Sequence, residues 1–282
     1  MRVEACPGCL GAQSLAKQGQ VVRCSSCRTE YQRIQPSDQR LTEIYGPDYY
    51  RPWSFEAQDV VEGMKKMSFG RILDRAALED GSRILELGCA NGDFVSLALE
   101  LGHSASGVDL NAAAVKEARR RVPGARFHAG ILSDKPWPNE CFDAVVMIDF
   151  IEHVRDPESE LRLAAGRLVK GGHLIISTPE SGSFAHRITG RLWPQYREEH
   201  LTYYSRKGLQ ILFNRVGLQI VRLEKGRKAV TANYLYGQLI SYPIPVLTRV
   251  IKLIWRILPI SKRRVRWIGF GEMVVVAVKR SD

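Results

Sequence analysis

The sequence predicts an α/β protein: a mostly parallel sheet of seven strands with helices on both faces, preceded by a small cysteine ribbon. Three observations carry this reading. Apolar strands alternate with helical stretches from residue 83 onward. A glycine-rich turn stands where the first of those strands meets its helix. Near the start, "CPGC" and "CSSC" are separated by fourteen residues.

The ribbon comes first in the chain. Cys6, Cys9, Cys24 and Cys27 form two Cys-x-x-Cys knuckles, a spacing that reads as a tetrahedral four-thiolate zinc site. Four thiolates leave no open position for water, so this zinc is expected to be structural. Residues 35–53 form a polar, Pro- and Tyr-rich connector. From Phe55 to Leu78, Val60, Val61, Met64, Met67, Ile72 and Leu73 recur at three-and-four spacing, as in a helix. Strands are then expected at 83–87, 105–109, 125–129, 143–148 and 173–177, with helices near 93–101, 112–121 and 157–168. Gly171 and Gly172 read as a helix stop, and Cys89 and Cys141 as small packing residues. A final strand pair, 218–224 and 271–280, closes the sheet.

At 282 residues, with 45% hydrophobic and 25% charged residues, the chain can bury a full core. The start "MRVEACPGCL" lacks the apolar stretch of a signal peptide, and no run reaches membrane-spanning length. A cytoplasmic protein with reduced or metal-bound cysteines is expected. The net charge of +11 is local: between Glu224 and Glu272 there is no acidic residue but ten Lys or Arg, and without those ten the two signs nearly balance. Such an interval suits a local anionic partner and makes a nucleic-acid-coating surface the weaker reading.

After "RILEL", the turn "GCANGDF" brings Gly88, Ala90 and Gly92 to a helix N-terminus. A dinucleotide fingerprint would need a glycine where Val95 stands, and a P-loop would need Gly-Lys-Ser/Thr. Glu86, an acid inside the strand end, would repel a pyrophosphate and accept a cationic ligand. From Arg83 to Glu180 the sequence resembles the class I S-adenosylmethionine (SAM)-dependent methyltransferases, of the polysaccharide and quinone O-methyltransferase type. The resemblance implies a Rossmann-like fold in which Glu86, Gly88, Cys89, Ala90 and Gly92 line the methionine end of SAM. In "GVDLN" it implies that Asp109 accepts both ribose hydroxyls, with Leu110 beside it. Where the family often has Asp, this chain has Ile131, so adenine would rest on backbone groups and on Ile131 and Leu132.

The stretch "VVMIDFIEHV" (145–154) runs from a buried strand into Asp149, Glu152 and His153. In this architecture it ends at the methyl side of the cofactor, with Asp149 among the cofactor-binding residues. His153 can be a general base removing a hydroxyl proton. Asp149, Glu152 and His153 can instead hold a divalent ion, by resemblance to a Glu-x-x-Glu-His pattern of some quinone and small-RNA methyltransferases. The segment can also simply begin a helix. The base reading is preferred, because a fourth metal ligand cannot be named from sequence. In "EEHLTYYS", His200 and Tyr203 are candidates to face the substrate, His200 as a second catalytic residue, with Tyr45, Tyr49 and Tyr50 covering it.

Before the last strand, "IPVLTRVIKLIWRIL" places Arg249, Lys252 and Arg256 on one stripe of an otherwise apolar helix, and "SKRRVRW" follows. The segment 244–268 is therefore expected to make peripheral contact with the inner face of a membrane, the alternative being a helix that covers the sheet. The expected organisation is a zinc ribbon (1–35), a connector with N-terminal helices (36–80) and a methyltransferase domain (81–282) carrying a basic insertion (230–268). The expected activity is O-methylation of a small-molecule or lipid-linked acceptor of glycan, sugar or quinone type. The alternatives are ribosomal-RNA base methylation with the ribbon docking RNA, and a non-catalytic SAM-binding or membrane-tethering protein.

Overall fold

A computed structural model describes residues 1–46, 57–241 and 264–280. The expected helix over 244–258, Tyr49 and Tyr50 lie outside them.

The ribbon is a meander of β1 (Ser14–Gln18), β2 (Val21–Cys24) and β3 (Glu30–Gln32). Each knuckle closes alike: Leu10 N–H donates to Cys6 O at 2.8 Å and Arg28 N–H to Cys24 O at 3.1 Å. Leu10 and Arg28, just past the second cysteine of each knuckle, take φ of 59° and 70°. Two turns built alike aim both thiol pairs inward.

Helix α1 (Asp38–Ile44) is capped by Ser37, whose hydroxyl accepts from Arg40 N. Helix α2 (Gln58–Leu73) buries Val61, Met64, Ile72 and Leu73, four of the six apolar positions expected from the sequence; Val60 is half-buried and Met67 exposed. The alternating part then runs β4 (Arg83–Leu87), α3 (Asp93–Glu100), β5 (Ser104–Asp109), α4 (Ala112–Arg121), β6 (Arg126–Ala129), β7 (Phe142–Ile148), α5 (Pro157–Gly166) and β8 (Leu168–Pro179). After these come α6 (Phe184–Thr189), β9 (Thr202–Tyr203), α7 (Arg206–Arg215), β10 (Leu218–Lys225), β11 (Lys228–Val230), α8 (Ala232–Ser241), β12 (Arg266–Ile268) and β13 (Glu272–Lys279).

Seven strands form one sheet in the order β10-β13-β8-β7-β4-β5-β6. Strands β4 to β8 are parallel, and β13 runs antiparallel to both β8 and β10. Both faces are covered, which is why the strands read as continuous apolar runs. Leu85, Leu87, Val145 and Met147 pack with Leu209, Leu212 and Phe213 of α7 on one face. Ile84, Ala144 and Val146 pack with Phe94, Val95, Val115 and Ala118 on the other. The chain leaves β4 toward β5 and β6, then returns to β4's other side with β7. That reversal makes the carboxyl ends of β4 and β7 the place where a sheet of this kind has its ligand crevice.

Three details differ from expectation. Gly171 and Gly172 do not stop a helix; α5 ends at Gly166, and the two glycines lie within β8, where its register against β7 shifts between Leu168 and His173. Cys141 is exposed and not packed. Most consequential, β9 leaves the long loop after β8 to pair with β3 of the ribbon, Glu30 facing Tyr203 and Tyr31 facing Thr202. The ribbon thus has a fourth strand drawn from the far half of the chain.

Candidate active site

At the end of β4 the chain makes a turn in which Gly88, Ala90 and Gly92 all have positive φ, of 78°, 44° and 78°. A Cβ at Gly88 would stand 2.8 Å from the Phe150 ring, so the turn and the tail of β7 touch at this glycine. The Asp109 carboxylate ties the turn to the next strand: Oδ2 accepts from Ala90 N–H and Oδ1 from Asn111 N–H, both at 2.8 Å. Each oxygen keeps a second lone pair for a ligand hydroxyl. Glu86 is buried, and its Oε2 has no hydrogen-bond partner among the described residues. Burial, with Asp93 and Asp109 nearby, pushes this carboxyl well above the usual range. A buried carboxyl with an unused oxygen, beside an open glycine turn, suits a ligand with a cationic end.

The other candidates around this crevice separate. Leu110 and Ile131 are exposed, as an apolar wall for a planar ring requires. Leu132 is different: its side chain belongs to the core beneath α5 and α7, so it offers a ligand only its backbone. The Cys89 side chain is buried against β5, within 2.7 Å of where a Gly107 Cβ would be, and its thiol is pushed up by burial. Cys89, too, has only its backbone to offer a ligand.

The tail of β7 gathers a second cluster. Ligand atoms of Glu152, His153 and His200 lie within 4.8 Å of one another. His153 Nδ1 is 3.1 Å from the carbonyl of Glu199 and 2.8 Å from the Tyr45 hydroxyl. A carbonyl only accepts, so Nδ1 is assigned the proton and Nε2 the lone pair. His200 repeats the arrangement, with Nδ1 at 2.8 Å from Gln195 O. Burial lowers both imidazoles, His153 to about 4 and His200 well below its usual value. Glu152 is fully buried; Thr178 Oγ1 donates to its Oε2 at 2.9 Å, while Oε1 has no partner among the described residues. Burial and the Asp149 charge raise its carboxyl to about 8.

Asp149 does not join this cluster. It leaves β7 at φ 49° and forms an ion pair with Lys228 Nζ at 2.7 Å. The potential metal set is accordingly Glu152, His153 and His200, not Asp149, Glu152 and His153. Lys228 also meets Glu272 at 3.1 Å. Burial alone would lower this lysine, but the two carboxylates hold it above its usual range. Lys228 and Glu272 escaped notice in the sequence: one was counted with the basic interval, the other with a strand. Tyr203 does not face the crevice; it is buried, and its hydroxyl is spent on the backbone of Arg197.

In the ribbon, Cys6 Sγ and Cys27 Sγ are 3.5 Å apart, as are Cys9 Sγ and Cys24 Sγ. Thiolates around a tetrahedral zinc lie about 3.8 Å apart, so the four cysteines are compatible with a structural zinc.

A family model described as a methyltransferase domain matches residues 63–223, more than half of the chain. The chain belongs to this methyltransferase family. Its cofactor is SAM, and the Glu86–Asp109 crevice lies inside the matched region. The ubiquinone biosynthesis O-methyltransferase of Alkalilimnicola ehrlichii is 36% identical over 118 residues, 38% of this chain and 47% of that protein. The methyltransferase chain thus spans about half the length of this curated relative. Among solved structures, a magnesium protoporphyrin IX methyltransferase from Synechocystis with bound SAH matches with a TM-score of 0.55 at 13% identity, covering 87% of this chain and all of that one. The [4+2]-cyclase SpnF matches with a TM-score of 0.56 at 15% identity, covering 88% and 98%. These two likenesses show the fold alone.

Proposed function

We propose that this methyltransferase moves the SAM methyl group to a hydroxyl oxygen of a small phenol- or quinol-type acceptor. The cluster of Glu152, His153 and His200 beyond the carboxyl end of β7 carries this reading, and the ubiquinone O-methyltransferase relative supports the acceptor class. SAM supplies an activated methyl on a sulfonium. Glu86 would hold the cationic methionine end, Gly88 to Gly92 would let the ligand approach the backbone, and Asp109 would take the ribose hydroxyls. Leu110 and Ile131 would flank the adenine. Aligning the acceptor oxygen with the methyl–sulfur axis contributes much of the rate. His153 Nε2, kept unprotonated by burial and left with the lone pair by the Nδ1–H bond to Glu199, which sets the tautomer, would take the acceptor's proton.

A second reading has its own observation. Two imidazole lone pairs and the unpartnered Glu152 oxygen form a three-ligand set that could hold a divalent cation, which would lower the hydroxyl's pKa in place of a base. Incubating the protein with SAM and a catechol probe such as 3,4-dihydroxybenzoate tests both readings. A methylated product that His153→Ala abolishes supports the proposal, and no product from any phenol or catechol would overturn it. Turnover lost to EDTA while ribbon zinc stays bound would replace the base by the cation.

For a lipid-linked acceptor and contact with an inner membrane face, the support is the composition of 244–268. No helix among the described residues is long and apolar enough to cross a membrane.

A further inference from the structure

The segment 197–201 is held from two sides. On the crevice side, Leu201 N–H donates to Glu152 O at 2.8 Å, and Glu199 O accepts from His153 Nδ1. On the ribbon side stands Gln32, the last residue of β3. Its side-chain Nε2 reaches three carbonyls of that segment, Arg197 O at 3.2 Å, Glu198 O at 2.8 Å and His200 O at 2.9 Å. Its backbone N–H donates to Leu201 O at 2.9 Å. Gln32 is buried, so these carbonyls have little water to turn to if the amide is lost. The next residues of the ribbon side add outer ties: Arg40 grips Glu198 through two bonds of 2.8 Å, and Arg155 joins Gln35, Pro36 and Asp38.

Three carbonyls gathered on one point, those of Arg197, Glu198 and His200, are electrostatically costly unless donors converge on them. An amide NH₂ supplies two hydrogens and no charge, so with one hydrogen shared between two acceptors it serves three carbonyls without drawing a counterion into the core. His200 sits on this segment with its ring 4.8 Å from that of His153. We propose that the cysteine ribbon is a positioning element for the methyl-transfer site, acting through Gln32, which fixes 197–201 so that His200 stands against His153. Gln32 is a positioning residue; it touches neither cofactor nor acceptor. The proposal rests on the reading of His153 and His200 as the acceptor site, yet its central claim concerns the segment and can be tested without an acceptor.

The test uses full-length, zinc-loaded protein and two variants matched in size, Gln32→Met and Gln32→Glu. Methionine removes the donors, and glutamate sets oxygens against the three carbonyls. Amide hydrogen exchange read by mass spectrometry should accelerate at least tenfold over 195–204, more for glutamate than for methionine. Exchange over 83–129, zinc content and SAM affinity should stay as in the wild type. With 3,4-dihydroxybenzoate as probe, kcat should fall while KM for SAM is unchanged. Unaltered exchange over 195–204 in both variants would overturn the proposal, as would equal effects accompanied by zinc loss, which would mark Gln32 as part of the ribbon's own fold. Altered exchange with no probe methylation even in the wild type would sink the acceptor reading and leave the positioning claim standing.

Discussion

Lys228 on β11 meets Asp149, the first residue beyond β7, at 2.7 Å, and so joins the β11–β12 pair to the carboxyl end of β7. Asp149 holds a left-handed conformation, one that aspartate tolerates better than most residues. The ion pair helps keep it there. Replacing Lys228 with methionine leaves Asp149 and the buried Glu272 without their cation. Stability should fall by roughly 1–3 kcal/mol, between the values for exposed and buried pairs, read as a lower urea midpoint.

Asp109 clamps Ala90 and Asn111, and under the proposed function it also takes the ribose hydroxyls. Asp109→Ala should weaken SAM binding roughly 10- to 100-fold, as expected for losing one or two charge-assisted bonds. Titration calorimetry checks this, and unchanged affinity would put the ribose elsewhere.

At Gly88 even a methyl group meets the Phe150 ring, at a φ that disfavours any side chain. Gly88→Ala should cost roughly 1–2 kcal/mol in stability and weaken SAM binding at the same time. The double variant Gly88→Ala, Phe150→Ala should recover part of the stability in thermal melts, because it removes the clash but not the strain.

Glu30 gives a pH signature. Burial pushes its carboxyl up, but hydrogen bonds from His186, Tyr196 and Arg23 outweigh this and hold it at about 2, below the ordinary 4.5. Because the folded value is depressed, the stabilisation is complete above about pH 4.5 and is lost as pH falls toward 2. The stability difference between wild type and Glu30→Gln should be roughly 3 kcal/mol near neutrality and shrink across that acid window. A difference constant from pH 5 to 2.5 would contradict the assignment.

The ribbon should carry about one zinc per chain, since four thiolates complete one tetrahedral site. Elemental analysis decides it, and Cys24→Ser should lower the zinc content and expose the β3–β9 seam to proteolysis.

Most of the sheet was legible in the sequence because its strands are buried on both faces and separated by helices with their own periodicity. The strands expected at 83–87, 105–109 and 143–148 are found within one residue of those limits. The cysteine cluster was legible for a different reason: zinc spacing is local. What escaped depends on distant partners. Thr202–Tyr203 is too short to announce a strand, and only its pairing with the ribbon makes it one. Lys228 reads as one of ten cations in the basic interval because sequence does not reveal that Asp149 and Glu272 enclose it. His200 joins Glu152 and His153 only once β9 is in place, which is why the third member of that cluster was misassigned to Asp149.

The β3–β9 seam also sets an order of events during synthesis. Thr29 and Ser205, whose side chains meet at its edge, are 176 residues apart. At ribosomal rates of 5–20 residues per second, the ribbon waits about 10–35 s for its fourth strand. Throughout that interval β3 offers an open edge to any neighbouring chain. The nascent protein is therefore most exposed to mispairing after its first module has emerged and before its methyl-transfer loop arrives, so a slower ribosome would lengthen the hazard in proportion.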